Sequence, residues 1–179
     1  MILVISIIVS SYLLLGIIWY GAKKKFYSHI RHSISELGES GSEYSRPVNH
    51  GLFLPVGILL FLTGIHPDAD LIVKGLSFSL GAGYLVAALF PCDIGSPLNG
   101  SCKQQVHNLG GFVEDAVGVI FLFRVSEEIE GTNGFFNIIG AIVVVCTIIV
   151  SIPGNSFRGL TQRIAEVLLF GSLIYLSTI

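Results

Sequence analysis

Six apolar runs fill this chain of 179 residues, and its charged residues sit almost entirely in the gaps between them. A helix needs about 20 consecutive apolar residues to cross the hydrocarbon core of a bilayer. Inside that core every backbone N–H and C=O must be satisfied by the protein, so only helices and closed barrels cross. Composition points the same way. Asp, Glu, Lys and Arg make up 12% of the residues and hydrophobic types 52%, whereas a soluble domain carries about 25% charged residues. Barrel strands alternate apolar and polar positions over about ten residues, and these runs are continuously apolar. The expected fold is therefore all-α. It is a polytopic integral membrane protein in which six transmembrane helices form one bundle, a single domain over residues 1–179.

The expected spans are about 1–21, 49–65, 71–91, 106–123, 135–152 and 157–179. Charges and turn formers stop them: Lys23 to Lys25 after the first, His66, Pro67 and Asp68 after the second, Pro153, Gly154 and Asn155 after the fifth. The first run has no basic segment before it and no small-residue cleavage pattern after it, so it reads as a retained helix rather than a signal peptide. No internal repeat supports an inverted-repeat transporter.

Basic residues set the expected orientation. The links after spans one, three and five, with the adjoining span ends, carry Lys23, Lys24, Lys25, Arg31, Arg46, Lys103, Arg158 and Arg163. The links after spans two and four carry only Lys74 and Arg124, beside Asp68, Asp70, Glu127, Glu128 and Glu130. The basic end is expected to face the cytoplasm of a cell membrane, with both termini outside. Cys92 and Cys102 flank the link after span three at that end. A disulfide there would require an oxidising compartment, so the cytoplasmic orientation implies that both are reduced. Cys146, inside span five, reads as a packing residue.

Three polar segments gather at the basic end: residues 26–50, 90–108 and 153–163. Polar groups that converge beside apolar walls make ligand sites. The segment after span one is expected to form an interfacial helix or a lid, with Ser35 and Glu36 folding over a cavity. In span four His107, Gly111, Glu114 and Gly118 share a helix face, with Asp115 adjacent. An intramembrane carboxylate costs about 2.5–3.5 kcal/mol and seeks a partner or a watery cavity. Asp93, His107 and Glu114 are the candidate catalytic groups. Ser35, Glu36, Asn49, His50, Asn108 and Arg163 are the candidate ligand-binding groups. Arg163 is the expected counter-charge for Glu114, with a local Arg163–Glu166 pair or Arg124 as alternatives. Gly75, Gly81, Gly83, Gly110, Gly111 and Gly118 read as close helix contacts. His50, Asp93 and His107 lack the spacing of a metal motif, so no metal is assigned. There is no phosphate loop, dinucleotide fingerprint or nucleophile elbow, and the sequence names no cofactor. The basic residues lack the arrangement of a nucleic-acid binder.

Several short motifs carry a resemblance. Residues 33–38 (Ser-Ile-Ser-Glu-Leu-Gly), Asn49 with Gly51, residues 90–93 (Phe-Pro-Cys-Asp), His107 with Asn108, and residues 159–163 (Gly-Leu-Thr-Gln-Arg) resemble the pattern of the domain of unknown function 998 family over nearly the whole chain. That resemblance implies a six-span bacterial or archaeal membrane protein and no assigned reaction. Family members usually place a second cysteine or a proline pair soon after the Phe-Pro-Cys-Asp motif, where this chain has Ile94, Gly95 and Ser96. A looser similarity, to the Frag/DRAM/Sfk membrane proteins, implies a link to lipid-anchor remodelling and an exoplasmic first loop, opposite to the charge asymmetry.

Three functions follow as alternatives. The first is an enzyme or binding module that handles membrane lipid, or another membrane-embedded ligand, in a polar cavity near the basic end; each Lys or Arg near the surface adds about 1 kcal/mol of attraction to anionic headgroups. The second is a non-catalytic transporter, accessory or scaffold protein, with a protein partner or a second copy of the chain. The third is a haem-binding electron carrier using His50 and His107.

Overall fold

The computed structural model of the chain describes residues 1–129 and 134–179; Glu130 lies outside them. Among the described residues there are helices and no strands. Six helices follow the six runs: α1 (Ile2–Lys23), α2 (Ser45–Gly64), α3 (Leu71–Leu89), α4 (Cys102–Glu128), α5 (Phe135–Val150) and α6 (Arg158–Leu176). By length and composition α1, α2, α3 and α6 can each cross a membrane. α4 has 27 residues but carries Glu114 and Asp115 within it, and α5 has only 16 residues.

Each helix is placed by the face it buries. α1 turns Ser6, Val9, Leu13, Ile17 and Gly21 inward at three- and four-residue steps. It leaves Val4, Ile7, Ile8, Leu14, Leu15, Ile18 and Trp19 exposed, the surface that a bilayer covers. α3 is the hub, packing against α2, α4 and α6. Successive helices neighbour one another, and α1 meets α6 to close the ring. Asp70 caps α3 by accepting from the Val73 N–H at 2.7 Å, and Ser101 caps α4 through the Gln104 N–H at 3.2 Å.

α2 opens into a wider π turn over Asn49–Phe53, just before Pro55. The proline has no N–H for the carbonyl four residues earlier. That carbonyl belongs to Gly51, and it accepts the Tyr12 hydroxyl of α1 instead. A local helix defect thus becomes a contact that fixes α1 against α2.

Several expected glycine contacts form. A Cβ on Gly110 would overlap Val86, one on Gly75 would overlap Phe121, and one on Gly83 would overlap the Glu114 carboxylate. Gly111 differs: nothing lies within 4 Å of its Cβ direction. It opens onto a cleft rather than a helix.

Candidate functional site

At one end of the bundle the links after α1, α3 and α5 fold into a single cap. The segment between α1 and α2 forms no interfacial α-helix. Its ordered element is one 3-10 turn, Ser35–Gly38. A reciprocal pair of bonds starts that turn: Glu36 accepts the Ser33 N–H at 2.8 Å, and Ser33 Oγ accepts the Glu36 N–H at 3.3 Å. This is the capping-box arrangement of Ser-x-x-Glu. Asn49 finishes the turn from α2, donating to the Gly38 carbonyl at 2.6 Å and the Ser45 carbonyl at 2.7 Å.

The cap is then stitched to the other two links. The Ser40 N–H donates to the Cys92 carbonyl at 2.8 Å, and the Gly95 N–H to Glu39 Oε2 at 2.8 Å. Lys24 pairs with Glu39 Oε1 at 2.8 Å. Gln162 of α6 accepts the Ile34 N–H at 2.7 Å. Arg158 donates to the Gly95 carbonyl at 2.9 Å and to the Ser96 carbonyl at 2.5 Å, and lies 3.9 Å from Glu36. Arg163 donates to the carbonyls of His29, His32 and Gly159 and to the Tyr27 hydroxyl at 2.5 Å. Burial pushes the Tyr27 phenol up to about 12 against the opposing pull of Arg163.

Beneath this cap lies a cleft of about 890 Å³ between α4, α5 and α6. Ser33, Ser35, Asn108, His107, Arg158 and Gln162 line it with polar atoms near the cap; Leu109, Phe112, Val150 and Ile152 supply apolar wall; Asp115 and Thr147 lie deeper along α4 and α5. Thr147 donates to Asp115 Oδ2 at 2.7 Å. His107 Nδ1 is bonded to the Phe90 carbonyl at 2.9 Å, which fixes the ring. No hydrogen bond among the described residues engages its Nε2.

The candidate residues from sequence divide into groups. Ser35, His107 and Asn108 line the cleft. Glu36 lies behind Ser35, buried in the cap. Asp93 is outside the cleft: its carboxylate accepts the Ser101 N–H at 2.8 Å and Ser101 Oγ at 2.9 Å, which holds it below the usual carboxylate range. Glu114 is buried one residue away from the cleft-lining Asp115 and lies over Gly83 of α3. Asn49 is committed to the cap, and His50 is exposed. Among the described residues Arg163 forms no ion pair with Glu114 or Glu166; its terminal nitrogens donate to the cap carbonyls and Tyr27, and its Nε is buried without a partner. Arg124 lies 4.0 Å from Glu128 instead. Asp115, noted in the sequence beside Glu114, also lines the cleft, as do Arg158, Gln162 and Thr147, which were not among the candidate groups. Arg158 and Gln162 sit four residues apart at the start of α6, a spacing visible in the sequence; Thr147 in an apolar helix carried no such signal. Among the described residues no group of three or more His, Cys, Asp or Glu side chains is arranged to hold a metal. Cys92 and Cys102 are free thiols, the first buried and the second exposed.

A second groove, of about 520 Å³, runs between α1 and α6. Its walls are Leu13, Leu14, Ile17, Ile18 and Phe170, with His29, Arg163 and Glu166 among its few polar residues.

No curated protein and no solved structure matches the chain. A family model does, over residues 7–179, and the chain belongs to that family, described as protein of unknown function (DUF998).

Proposed function

We propose that this family member is a multi-pass membrane protein that binds a lipid, or a ligand with the same amphiphilic chemistry, in the cleft beneath its polar cap. The observation that carries the reading is the lining of that cleft. One cation, Arg158, stands at its capped end with the amides of Asn108 and Gln162, and apolar side chains lie alongside them. A headgroup would meet Arg158, Asn108 and the free Nε2 of His107. A chain would lie along Phe112, Val150 and Ile152. Arg158 makes an anionic headgroup the better electrostatic fit. The capped end carries the eight basic residues of its links and is assigned to the cytoplasmic face. His107 and Asp115 are the groups that could act on a bound ester or phosphate; Asp93 and Glu114 would act only by supporting the walls.

Gly111 offers a clean test. It lines the cleft and has open space where a side chain would project. Gly111→Leu therefore fills the cleft without disturbing a packed interface, and replacing a helical glycine favours the helix by about 1 kcal/mol. Purified from native membranes and analysed by native mass spectrometry, the wild type should retain lipid and the variant should lose it at equal or higher thermal stability. An identical lipid complement in both would refute the reading.

A further inference from the structure

A separate set of polar groups meets inside the bundle. Tyr84 of α3 is 4% exposed and Glu114 of α4 is 8% exposed. Glu166 approaches them from α6. The Tyr84 hydroxyl, Glu114 Oε1 and Glu166 Oε2 are all buried without a well-formed hydrogen bond, and the Tyr84 hydroxyl lies close enough to the Glu166 carboxylate to interact with it. A buried polar atom left unpaired costs about 1–3 kcal/mol, so three in one place need a cause. Room has also been made for them. The other Glu114 oxygen rests on Gly83, where any side chain would overlap it.

Among the described residues neither Glu114 nor Glu166 forms an ion pair. Asp115 is the next acid on α4, and its carboxylate is turned to Thr147. Arg163 acts on Glu166 from one turn away, but its two terminal guanidinium nitrogens are held by the carbonyls of His29, His32 and Gly159 and by Tyr27, and its Nε is buried without a partner. α1 contains no charged residue before Lys23, α5 contains none, and α2 contains only Arg46 and the exposed His50. Tyr12 of α1 is bonded to Gly51, and Cys146 of α5 neighbours Asp115. Two carboxylates that face each other without a cation do not both ionise in a bundle interior.

We propose that Glu114, Glu166 and Tyr84 form an intramembrane proton site, one proton being shared by the two carboxylates with the tyrosine hydroxyl as its hydrogen-bond partner. Glu166 also lines the groove between α1 and α6, whose other polar residues include His29 and Arg163. None of the three groups Glu114, Glu166 and Tyr84 is among the residues that line the cleft.

Infrared titration of the whole protein in lipid nanodiscs tests it. At neutral pH the wild type should show the carbonyl stretch of a protonated carboxylic acid. Glu114→Gln and Glu166→Gln should each remove or move that band, and Tyr84→Phe, which keeps the ring packing, should shift it by deleting its hydrogen bond. No protonated-acid band in the wild type overturns the proposal. So does a band that is unchanged in both Gln variants, since it would belong to another acid. Replacing choline chloride by sodium chloride at fixed pH should leave the band in place; loss of the band would make the site one for a metal cation instead. Should either Gln variant fail to fold, the Tyr84→Phe shift and the sodium comparison still decide.

Discussion

Arg158 ties the start of α6 to the link between α3 and α4, and removing it should release that link. That link turns at Gly95 and Ser96, with φ of 72° and 44°. The second is a left-handed conformation that costs a non-glycine residue about 1–3 kcal/mol, so the turn persists only if something holds it. Arg158 donates to both turn carbonyls, at 2.9 and 2.5 Å, and to Ser96 Oγ at 3.2 Å. Each hydrogen bond from a charged donor contributes about 1.5–3 kcal/mol. The approach to the buried Glu36 is long, at 3.9 Å, and is left out of this sum. Counting only the two carbonyl bonds, each at the low end of that range, Arg158→Ala should lower the free energy of opening this turn by about 3 kcal/mol, or about 100-fold in amide exchange. Hydrogen–deuterium exchange on peptides covering residues 92–101, in nanodiscs, reads this directly. Arg158→Lys, able to reach one carbonyl but not to fork across both, should fall between the two. Adding Ser96→Gly to Arg158→Ala should recover part of the protection by removing the strain. Unchanged exchange in Arg158→Ala would refute the reasoning, because the turn would then be held by something else.

Thiol labelling should separate the cysteines at the capped end. Cys92 is fully buried, with burial first and then Glu39 and Glu36 pushing its thiol up to about 12, so it should stay unmodified in the folded protein while exposed Cys102 reacts. In intact cells a membrane-impermeant maleimide should spare Cys102 until the membrane is opened; prompt labelling would put the capped end outside. Gly83→Ala should lower thermal stability, since overpacking costs about 1–3 kcal/mol, and Glu114→Ala in the same chain should restore it by vacating the space; full stability of the single variant would deny the close approach of Glu114 to α3. Burial, and then the charge of Arg163, holds the His29 imidazole below its ordinary range. The folded state thus favours neutral His29, whose contribution to stability is complete above about pH 6.5 and is lost as the pH falls through the folded value. His29→Gln should flatten that part of the melting-temperature profile, and an unaltered slope would count against it.

Hydropathy made the helices legible, because a bilayer leaves few alternatives and the charges mark where each run stops. The residues at the helix ends were less so. α2 begins at Ser45, before its apolar run, because Asn49 closes the cap across it. The Ser33–Glu36 pairing is present in the sequence as Ser-x-x-Glu, a spacing that an interfacial helix and a single capped turn share. The convergence of the three polar links was legible from their charges, and hydrogen bonds join all three. Which side chain faces which helix was not. Seven residues separate His107 from Glu114 on nominally one face, but only His107 lines the cleft; Glu114 is held against α3 by the room at Gly83. The long reach of an arginine defeats spacing arguments too, and Arg163 turns toward the cap instead of down toward the acids.

α6 is the element that ties these features together. Arg158 and Gln162 project into the cap and cleft, Arg163 into the first link, and Glu166 toward Tyr84 and Glu114. All four lie within nine consecutive residues, about 12 Å along the axis at 1.5 Å per residue. A rotation of α6 about its axis would change the cap, the cleft wall and the acid pair together. The surroundings leave such a rotation some freedom, since α6 borders a groove on the α1 side and the cleft at its first turns. On the α4 side it is restrained where Leu169 packs on Gly118. Occupancy of the cleft and protonation of the acid pair would then be coupled through one rigid helix, and coupling of this kind is reciprocal. Gly111→Leu, which fills the cleft, should therefore alter the infrared signature of the Glu114–Glu166 pair although it touches neither residue. If that band is identical to the wild type while lipid is lost, the two sites are independent and α6 serves as scaffold alone.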